Sequence, residues 1–518
     1  MSISVSDLTF TWPDGEPVFD GISLMVGRGR TGLVGRNGSG KSTLLRLLAG
    51  QLRPECGSVS VTGSLGYLPQ DVTIRTEPRV AAILGIDAVR KALQRIEAGV
   101  GTEADFETVA GRWDTEERAL ALLGKLGLGH LVGSADQLDR TVATLSGGET
   151  VLLALTAQLL RAPDVLLLDE PTNNLDIVAR QRLYDAVATF GGTLVVVSHD
   201  RELLERMDST AEIHRGEIRV FGGNYSAYEQ VVAAEQEAAR AAVREAKNDV
   251  RKQNRELIAT QVKLARRKRY GQKMFDQKRE PKIVMGMRKM AAEVSAGKLR
   301  NNHREKVADA ENALDAAASQ VRDDREIRVE LPGTTVHPGQ EVLEIADVAL
   351  PGGHTLSLRI DGPERIALVG PNGSGKTTLL DAVAAHGPKV PWRLLPQRLD
   401  GFDESRSVVD NVARRAPHAQ PQQIRAQLAR FLFRGAEADV AAAALSGGER
   451  LRAALAMLLL AEPAPQLLML DEPTNNLDLP SLAHLTQALH SYRGALIVVS
   501  HDAQFLAEIG ITRTIELG

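Results

Sequence analysis

Eight residues, Gly35-Arg-Asn-Gly-Ser-Gly-Lys41-Ser42, recur 335 positions later as Gly370-Pro-Asn-Gly-Ser-Gly-Lys376-Thr377. An apolar stretch that predicts a strand precedes each copy, and a leucine-containing run that predicts a helix follows it. In this setting the glycine-rich turn wraps phosphates with its backbone N–H groups, while the lysine reaches the β and γ oxygens and the hydroxyl binds Mg²⁺. The sequence therefore predicts two nucleotide-binding units of the same kind in one chain.

The residues expected to contact nucleotide follow directly from this motif. In the first half they are Gly35, Arg36, Asn37, Gly38, Ser39, Gly40, Lys41, Ser42 and Thr43; in the second half they are Gly370, Pro371, Asn372, Gly373, Ser374, Gly375, Lys376, Thr377 and Thr378.

A pair of carboxylates ends a short apolar run in each half, at Val165–Glu170 and Leu467–Glu472. Such runs predict buried parallel strands, and open α/β sheets place their ligands at the carboxyl ends of these strands. We expect each aspartate to bind Mg²⁺ directly or through water, and each glutamate to act as the general base that polarises the attacking water. The expected metal ligands are Ser42, Gln70, Asp169, Thr377, Gln397 and Asp471; the expected general bases are Glu170 and Glu472.

Further elements repeat in the same order. Leu-Ser-Gly-Gly-Glu occupies 145–149 and 445–449, Pro-Thr-Asn-Asn-Leu-Asp occupies 171–176 and 473–478, and a Ser-His-Asp triplet holds His199 or His501. With this order, both halves resemble ATP-binding cassette (ABC) nucleotide-binding domains.

The ABC resemblance implies an α/β fold in which two P-loop halves pair head to tail and enclose two ATP molecules with Mg²⁺. It implies that Ser446, Gly447 and Gly448 close the Lys41 site, and that Ser146, Gly147 and Gly148 close the Lys376 site. A Ser-Gly-Gly turn that opens a helix is also a natural anion site. The resemblance further implies that His199 and His501, each 29 residues after its glutamate, contact the γ-phosphate.

The two sites differ at the residue expected to stack on adenine. Trp12 takes this place in the first half, whereas alignment of the two turns puts Leu350 there in the second. The second site is therefore expected to hold its base by apolar contact rather than by aromatic stacking.

Composition bounds the remaining possibilities. The chain has 518 residues, enough for several domains, and its single cysteine excludes a disulfide framework or a cysteine-rich metal or iron–sulfur site. No apolar run approaches the roughly 18 residues of a membrane span, and no signal peptide is evident, so a cytoplasmic location is expected. We predict one cassette at 3–235 with an arm insertion at about 77–111, a helical linker at 236–330, and a second cassette at 340–518.

Charge is concentrated in the linker. Residues 261–306 carry 15 Lys or Arg and four Asp or Glu, a net charge of +11, which leaves −15 for the rest of the chain. Two helices are expected here, from about Tyr225 to Arg269 and from about Met287 to Val321. They form an antiparallel hairpin with a break from about Tyr270 to Val284. A solvated linker would mix both signs of charge. A block of one sign favours contact with a polyanion.

The residues expected to contact RNA cluster at the tip of this hairpin. They are Arg266, Arg267, Lys268, Arg269, Lys273, Lys278, Arg279 and Lys282.

Two cassettes, a basic hairpin linker and the junction Gly223-Asn-Tyr-Ser-Ala-Tyr228 together resemble the ABC-F family of translation factors and ribosome-protection proteins. That resemblance implies a monomer whose cassettes pair within one chain, and an ATPase that binds the ribosome in its ATP state. It also implies contact of the linker with rRNA and tRNA, and release upon hydrolysis. Whether such a protein serves translation or antibiotic resistance is left open by the sequence.

The first half also differs from the second by an insertion. The spacing from glutamine to signature serine is 76 residues in the first half and 49 in the second, and the extra residues include a predicted helix at Val80–Gly99 and the stretch Glu103–Gly111. They match the family's arm insertion and match a plain loop expansion equally well.

Three other classes of ATPase compete with this interpretation. The ATP-hydrolysing subunit of a membrane exporter remains the alternative, although such subunits usually lack a basic hairpin. A chromosome-structuring or repair ATPase would split one cassette across a coiled coil, whereas each cassette here is contiguous. A recycling ATPase of the iron–sulfur type is excluded by the cysteine content.

Overall fold

The computed structural model describes residues 2–70, 79–141, 145–173, 175–276, 282–322, 331–351, 353–397, 399, 401–475 and 477–517. The chain divides into two compact units. Residues Met1–Ser226 and Arg325–Gly518 form the first, and Ala227–Asp324 form the second.

Sixteen strands are found in the described residues. They are β1 Ile3–Thr11, β2 Pro17–Val26, β3 Gly29–Gly35, β4 Cys56–Val61, β5 Leu65–Leu68, β6 Val165–Asp169, β7 Thr193–Val197, β8 Ser209–His214, β9 Glu217–Gly222, β10 Glu341–Ala349, β11 Thr355–Asp361, β12 Arg365–Val369, β13 Trp392–Leu395, β14 Leu467–Asp471, β15 Ala495–Val499 and β16 Arg513–Glu516.

Sixteen α-helices accompany them within the same described ranges. They are α1 Lys41–Leu48, α2 Val80–Ile83, α3 Asp87–Glu97, α4 Glu103–Val109, α5 Thr115–Lys125, α6 Gly147–Leu160, α7 Ile177–Thr189, α8 Arg201–Leu204, α9 Tyr225–Asp276, α10 Lys282–Gln320, α11 Lys376–His386, α12 Val408–Ala413, α13 Pro421–Arg430, α14 Gly447–Leu459, α15 Leu479–Ser491 and α16 Ala503–Glu508. Short 3-10 helices occupy Ala135–Asp139, Pro332–Thr334, Gly435–Asp439 and Ala442–Ala444.

Each half of the first unit is built on a mainly parallel sheet. The first sheet has the order β5-β6-β7-β3-β8-β9, with only β8 and β9 antiparallel, and a smaller antiparallel sheet β2-β1-β4 accompanies it. In the second half the order is β13-β14-β15-β12-β16, all parallel, with the antiparallel pair β10-β11. The predicted α/β class is confirmed, and the second sheet repeats the strand order of the first.

The central strands form because their residues are apolar on both faces. All five residues of β6, β7, β14 and β15 are buried, as expected for parallel strands covered by helices on both sides. Since β3, β6 and β7 are parallel, the segments that follow them emerge at one edge of the sheet. That edge receives the phosphate loop, the Asp-Glu pair and the Ser-His-Asp triplet of the first half.

The second unit is a helical hairpin. Thr260 Oγ1 lies 3.2 Å from His303 Nε2, and the Arg322 backbone N–H donates to Gln236 Oε1 at 2.8 Å. Because one contact pairs residues near the middle and the other pairs residues near the open end, α9 and α10 run antiparallel. The predicted end of the first helix at Arg269 and the predicted start of the second at Met287 are both wrong, since α9 continues to Asp276 and α10 begins at Lys282. Gly271 does not interrupt α9, because a single glycine costs only about 1 kcal/mol in a helix.

The insertion of the first half folds as several short helices. The prediction of one helix over Val80–Gly99 is wrong, because α2 and α3 are separated by a turn in which Gly85 has a φ of 72°. Helices α3 and α4 share a small core that includes Val89, Leu93 and Val109. An ion pair between Arg95 and Asp105 also joins them.

Within the described parts of the chain, no helix has both the length and the apolar character needed to cross a membrane.

Candidate nucleotide-binding sites

Both phosphate loops have the geometry of an anion cradle. Lys41 Nζ donates to the carbonyl oxygens of Gly35 and Arg36 at 2.8 and 3.0 Å, and Lys376 Nζ donates to those of Gly370 and Pro371 at 2.8 and 2.9 Å. Burial lowers the pKa of both ammonium groups. An ammonium that is buried over its own loop can bind phosphate oxygens strongly, because little water competes for it.

A glycine before each lysine lets the loop turn into the helix. Gly40 and Gly375 adopt left-handed φ angles of 94° and 96°. A Cβ atom at Gly40 would lie 2.6 Å from Val18 Cγ1, and one at Gly375 would lie 2.6 Å from Pro351 Cδ. Backbone conformation and space therefore both require glycine at these two positions.

The expected magnesium ligands meet at the edge of each sheet. Ser42 Oγ donates to Asp169 Oδ1 at 3.0 Å, and Thr377 Oγ1 donates to Asp471 Oδ2 at 2.9 Å. Asp169 Oδ2 is buried without a hydrogen-bond partner, so it has an open coordination position. Burial raises the pKa of both aspartates, and a bound cation would offset that cost. The hydroxyl, carboxylate and amide oxygens at these positions fit Mg²⁺.

The two expected glutamine ligands follow β5 and β13. Gln70 lines the cleft that contains Lys41, and Gln397 is exposed just beyond the second sheet edge.

A glutamate and a histidine face each other beside each phosphate loop. Glu170 Oε1 lies 3.1 Å from His199 Nε2, and Glu472 Oε1 lies 3.1 Å from His501 Nε2. Both glutamates have left-handed backbone φ angles, 48° and 46°, which residues other than glycine rarely adopt. Their backbone N–H groups donate to Val197 O at 2.8 Å and Val499 O at 3.0 Å, which fixes the bend at the strand end. Strain of this kind, about 1–3 kcal/mol, persists where the surrounding structure holds it, often at functional sites.

Burial sets the charge of the first pair. It raises the pKa of Glu170 to about 8 and lowers the pKa of His199 to about 3. Glu170 Oε1 and His199 Nδ1 are both buried without hydrogen-bond partners. A carboxyl whose pKa lies this close to neutral pH can both take up and release a proton there, which suits Glu170 to general-base chemistry.

The signature serines begin helices, as expected. Ser146 Oγ accepts from the Glu149 N–H at 3.2 Å, and the Ser146 N–H donates back to Glu149 Oε2 at 2.8 Å. Ser446 forms a similar capping box with Glu449 at the start of α14. A Cβ atom at Gly447 would lie 4.0 Å from Asn37 Nδ2, so the second signature turn adjoins the first phosphate loop.

Two aspartates that the sequence analysis did not single out join the halves. Asp478 Oδ2 accepts from the Asn37 backbone N–H at 2.8 Å, while its Oδ1 accepts from Ser481 N at 3.0 Å and caps α15. Asp176 of the first half makes the corresponding contacts: it accepts from the Asn372 N–H of the second phosphate loop at 3.2 Å and caps α7. Each aspartate ends the repeated Pro-Thr-Asn-Asn-Leu-Asp motif, which was the available signal.

The electrostatics of Asp478 fit this double role. Burial alone would raise its pKa, but hydrogen bonds from Ser481 and Asn37 and the nearby His199 ring outweigh burial, so the pKa of Asp478 is lowered. A second link between the halves is the ion pair of Arg201 with Glu508, whose atoms lie 2.6 Å apart.

A cleft of about 630 Å³ surrounds the first phosphate loop. Trp12, Lys41, Gln70, Glu170 and His199 line it together, so a large part of the predicted first site converges on one space. Trp12 packs edge-on against Phe10, with ring centroids 5.1 Å apart.

The alignment of Leu350 with Trp12 is supported by backbone hydrogen bonds. The Trp12 N–H donates to Glu16 O at 2.9 Å, and the Leu350 N–H donates to His354 O at 2.8 Å in the equivalent turn. Leu350 is partly buried against the core of the second half.

Several lining residues of the first cleft were not predicted. They are Glu16, Pro17, Val18, Asn173, Val197, Arg215 and Gly216. Arg215 and Gly216 form the turn between β8 and β9, which had no repeated motif to mark it.

The basic residues expected to contact RNA are only in part described. Arg266, Arg267, Lys268, Arg269 and Lys273 are exposed on α9. Lys278 and Arg279 lie outside the described residues, and Lys282 begins α10. Their role remains a prediction.

Comparison with known proteins adds independent findings. A family model described as "ABC transporter" matches residues 19–173 and 354–475. The tylosin resistance ATP-binding protein TlrC of Streptomyces fradiae is 33% identical over 94% of this chain and 92% of its own. The energy-dependent translational throttle protein EttA of Escherichia coli (strain K12) is 30% identical over 96% of this chain and 89% of its own.

Solved structures agree on the fold. The archaeal ribosome recycling factor, determined in complex with a ribosomal stalk protein, aligns with a TM-score of 0.58 over 98% of this chain and 87% of its own, at 21% identity. At that identity the likeness concerns the fold alone.

We predict unequal base binding at the two sites. Trp12→Ala should weaken ATP binding at the Lys41 site more than Leu350→Ala does at the Lys376 site, because stacking on a base is worth about 1 kcal/mol beyond burial. Nucleotide titration of each variant, with the other site disabled at its lysine, measures the difference. Equal losses would refute the asymmetry.

The raised pKa of Glu170 predicts a pH-dependent stability cost. Folding keeps a proton on this carboxyl, so the folded state loses stability as pH rises from the ordinary glutamate pKa of 4.5 to about 8. Glu170→Gln removes the ionisable group. Its stabilisation relative to the parent should therefore be larger at pH 8.5 than at pH 5.5, on the order of 2 kcal/mol.

Thermal or denaturant unfolding at the two pH values measures this effect. Glu97→Gln removes an exposed carboxyl by the same substitution and is the matched control. A pH-independent effect of Glu170→Gln would contradict the assignment of a buried, protonated carboxyl.

Proposed function

The chain belongs to the ABC-F family of ATP-binding cassette proteins, and from that premise we propose that it is an ATPase that binds the ribosome in its ATP state and acts on translation. Its partner surfaces are rRNA and tRNA, reached by the basic hairpin, and it works as a monomer in the cytoplasm. The cassettes span 3–235 and 340–518 in this proposal, with the linker at 236–330.

The observation that carries the proposal is the pairing of two nucleotide sites across one interface. Each phosphate loop has its backbone bound by an aspartate from the other half, at 2.8 and 3.2 Å. Occupation of either site is therefore coupled to the fit between the halves, since both loops share this interface. An ATPase that changes shape on a partner needs such coupling.

The chemistry of each site is ATP hydrolysis. Mg²⁺ bound with ATP would be held by Ser42, Asp169 and Gln70 in the first site, and by their counterparts Thr377, Asp471 and Gln397 in the second, where it would neutralise phosphate charge.

The general bases of the reaction are Glu170 and Glu472. Each would orient the attacking water and take its proton, while His199 or His501 contacts the γ-phosphate. The 3.1 Å contact in each pair places the histidine beside the carboxylate. Lys41 and Lys376 would stabilise the charge on the transferred phosphoryl group.

The ribosome as partner is supported by charge and by relatives. The linker carries a net charge of +11 over 261–306 in a chain that is otherwise acidic, and five of its tip cations are exposed. Neutralising RNA phosphates with these cations releases counterions. One relative is described as a translational throttle and another as a tylosin resistance protein, so action on translation and protection of the ribosome from an antibiotic are the two forms of the proposed activity.

We predict that Glu170→Gln with Glu472→Gln traps the protein on ribosomes. Without a general base, ATP should still bind but turnover should fall by at least about a hundredfold, within the 10²–10⁴-fold range of general-base catalysis. Sedimentation of ribosomes with ATP should carry the double variant into the pellet, and its expression should inhibit protein synthesis.

The matched control adds Lys41→Ala and Lys376→Ala, which should abolish ATP binding and thus release the trap. Turnover in the double glutamine variant at the rate of the parent would show that the base has been misassigned. Co-sedimentation with membranes instead of ribosomes would favour the exporter alternative.

The basic tip generates a second prediction. Reversal of Arg266, Arg267, Lys268 and Arg269 to Glu should weaken ribosome binding by at least tenfold and flatten its dependence on salt, because fewer counterions are released.

A control can be matched on the same helix. Reversal of Lys247, Arg251, Lys252 and Arg255, which lie among acidic residues, changes the charge equally but outside the one-signed block. Ribosome co-sedimentation at several salt concentrations compares the two variants. Equal effects of both reversals would mean that net charge, not the tip, governs binding.

A further inference from the structure

The turn between β8 and β9 contains an arginine in a strained conformation at the edge of the first cleft. His214 pairs with Glu217 across the two strands, so Arg215 and Gly216 alone form the loop. Their φ angles are 51° and 78°, the pattern of a type I′ hairpin turn. The first position of that turn favours Asn, Asp or Gly, since other side chains are strained there.

An arginine with this φ angle strains the backbone, yet the residue lies at the first nucleotide cleft. Arg215 and Gly216 line the same cleft as Trp12, Glu16 and Lys41. The hairpin requires this backbone conformation, but it does not require an arginine in it, and a strained residue at a binding site favours a functional role.

The sheet order shows which end of the nucleotide the turn would meet. Strands β6 and β7, which position Glu170 and His199, lie on one side of β3, whereas β8 and β9 lie on its other side. Gly35, at the start of the phosphate loop, is in register with Ile213 of β8. Arg215 comes two residues after Ile213, so it lies on the side of the phosphate loop away from Glu170 and His199.

Strand β9, which follows Arg215, contacts β2, which follows the turn containing Trp12, so both residues approach the cleft from the same side. Trp12 is the residue expected to stack on the base, and an indole ring and a guanidinium group are both planar surfaces suited to an aromatic base. A guanidinium attracts the face of an aromatic ring through cation–π interaction.

We propose that Arg215 and Trp12 form a two-sided clamp for a purine base in the first cleft, with the base held by its faces. This inference rests on the proposed function, because it assumes that the Lys41 site binds nucleoside triphosphate. Since faces rather than edges are contacted, the clamp accepts adenine and guanine and favours both over the smaller pyrimidines.

Arg215→Asn tests the clamp, because asparagine suits the turn but removes the guanidinium. In a Lys376→Ala background, where only the Lys41 site binds, the affinities for fluorescent ATP and GTP analogues should both fall about five- to tenfold. The nucleotide-free protein should keep or slightly raise its unfolding midpoint, because the strain is relieved. Arg219→Ala, an exposed arginine of β9 that does not line the cleft, is the matched control and should bind both analogues as the parent does.

Three outcomes would overturn the clamp. One is binding of ATP by Arg215→Asn within twofold of the parent; another is an equal loss in Arg219→Ala. The last is a lower unfolding midpoint, which would make Arg215 a structural residue. If the parent in the Lys376→Ala background binds no nucleotide, the proposed function itself fails, which is a distinct result.

Discussion

One carboxylate from each half, bound to the backbone of the opposite phosphate loop, is the contact on which the paired sites depend. Asp478 and Asp176 each divide their two oxygens between capping their own helix and accepting from the loop across the interface. A carboxylate in this position connects a helix of its own half to the phosphate loop of the other half through hydrogen bonds. Movement of either half would break both charge-assisted bonds, of which the Asp478 bond is partly buried and costs more to break than the exposed Asp176 bond. The ion pair of Arg201 with Glu508 adds a second link.

Several non-glycine residues have a left-handed backbone, and three of them lie at the nucleotide sites. Glu170 and Glu472 leave their strands in a left-handed bend that a hydrogen bond to the neighbouring strand holds in place. The same conformation recurs at Arg215 on the opposite side of β3. In the first half these bends flank the phosphate loop, one toward the expected hydrolytic end and one toward the base end. The apolar strands beneath them are fully buried, so the rigid core can keep side chains in conformations that a free peptide would avoid.

The two halves differ more at the base end of the site than around the phosphates. Both keep the lysine, the hydroxyl–aspartate pair and the glutamate–histidine contact with nearly the same distances. Both sites need the same chemical groups, because each must bind the same phosphate and the same attacking water. The base end is under weaker constraint, because apolar burial and stacking can be supplied by many side chains. This explains why Trp12 has a leucine as its counterpart while Lys41 has a lysine.

The sequence by itself determined the fold class, the two phosphate loops and the apolar strands that end in Asp-Glu, because these depend on local residue type and spacing. It also placed both linker helices, although the first continues past its predicted end and the second begins before its predicted start, since no local signal was strong enough to end the helix at those positions. Only the tertiary structure decided two further contacts: the bonds of Asp478 and Asp176 across the interface, and the position of Arg215 in the lining of the first cleft. Those contacts join positions that are far apart in the chain, and their partners are selected by how the two sheets pack, which residue spacing does not encode.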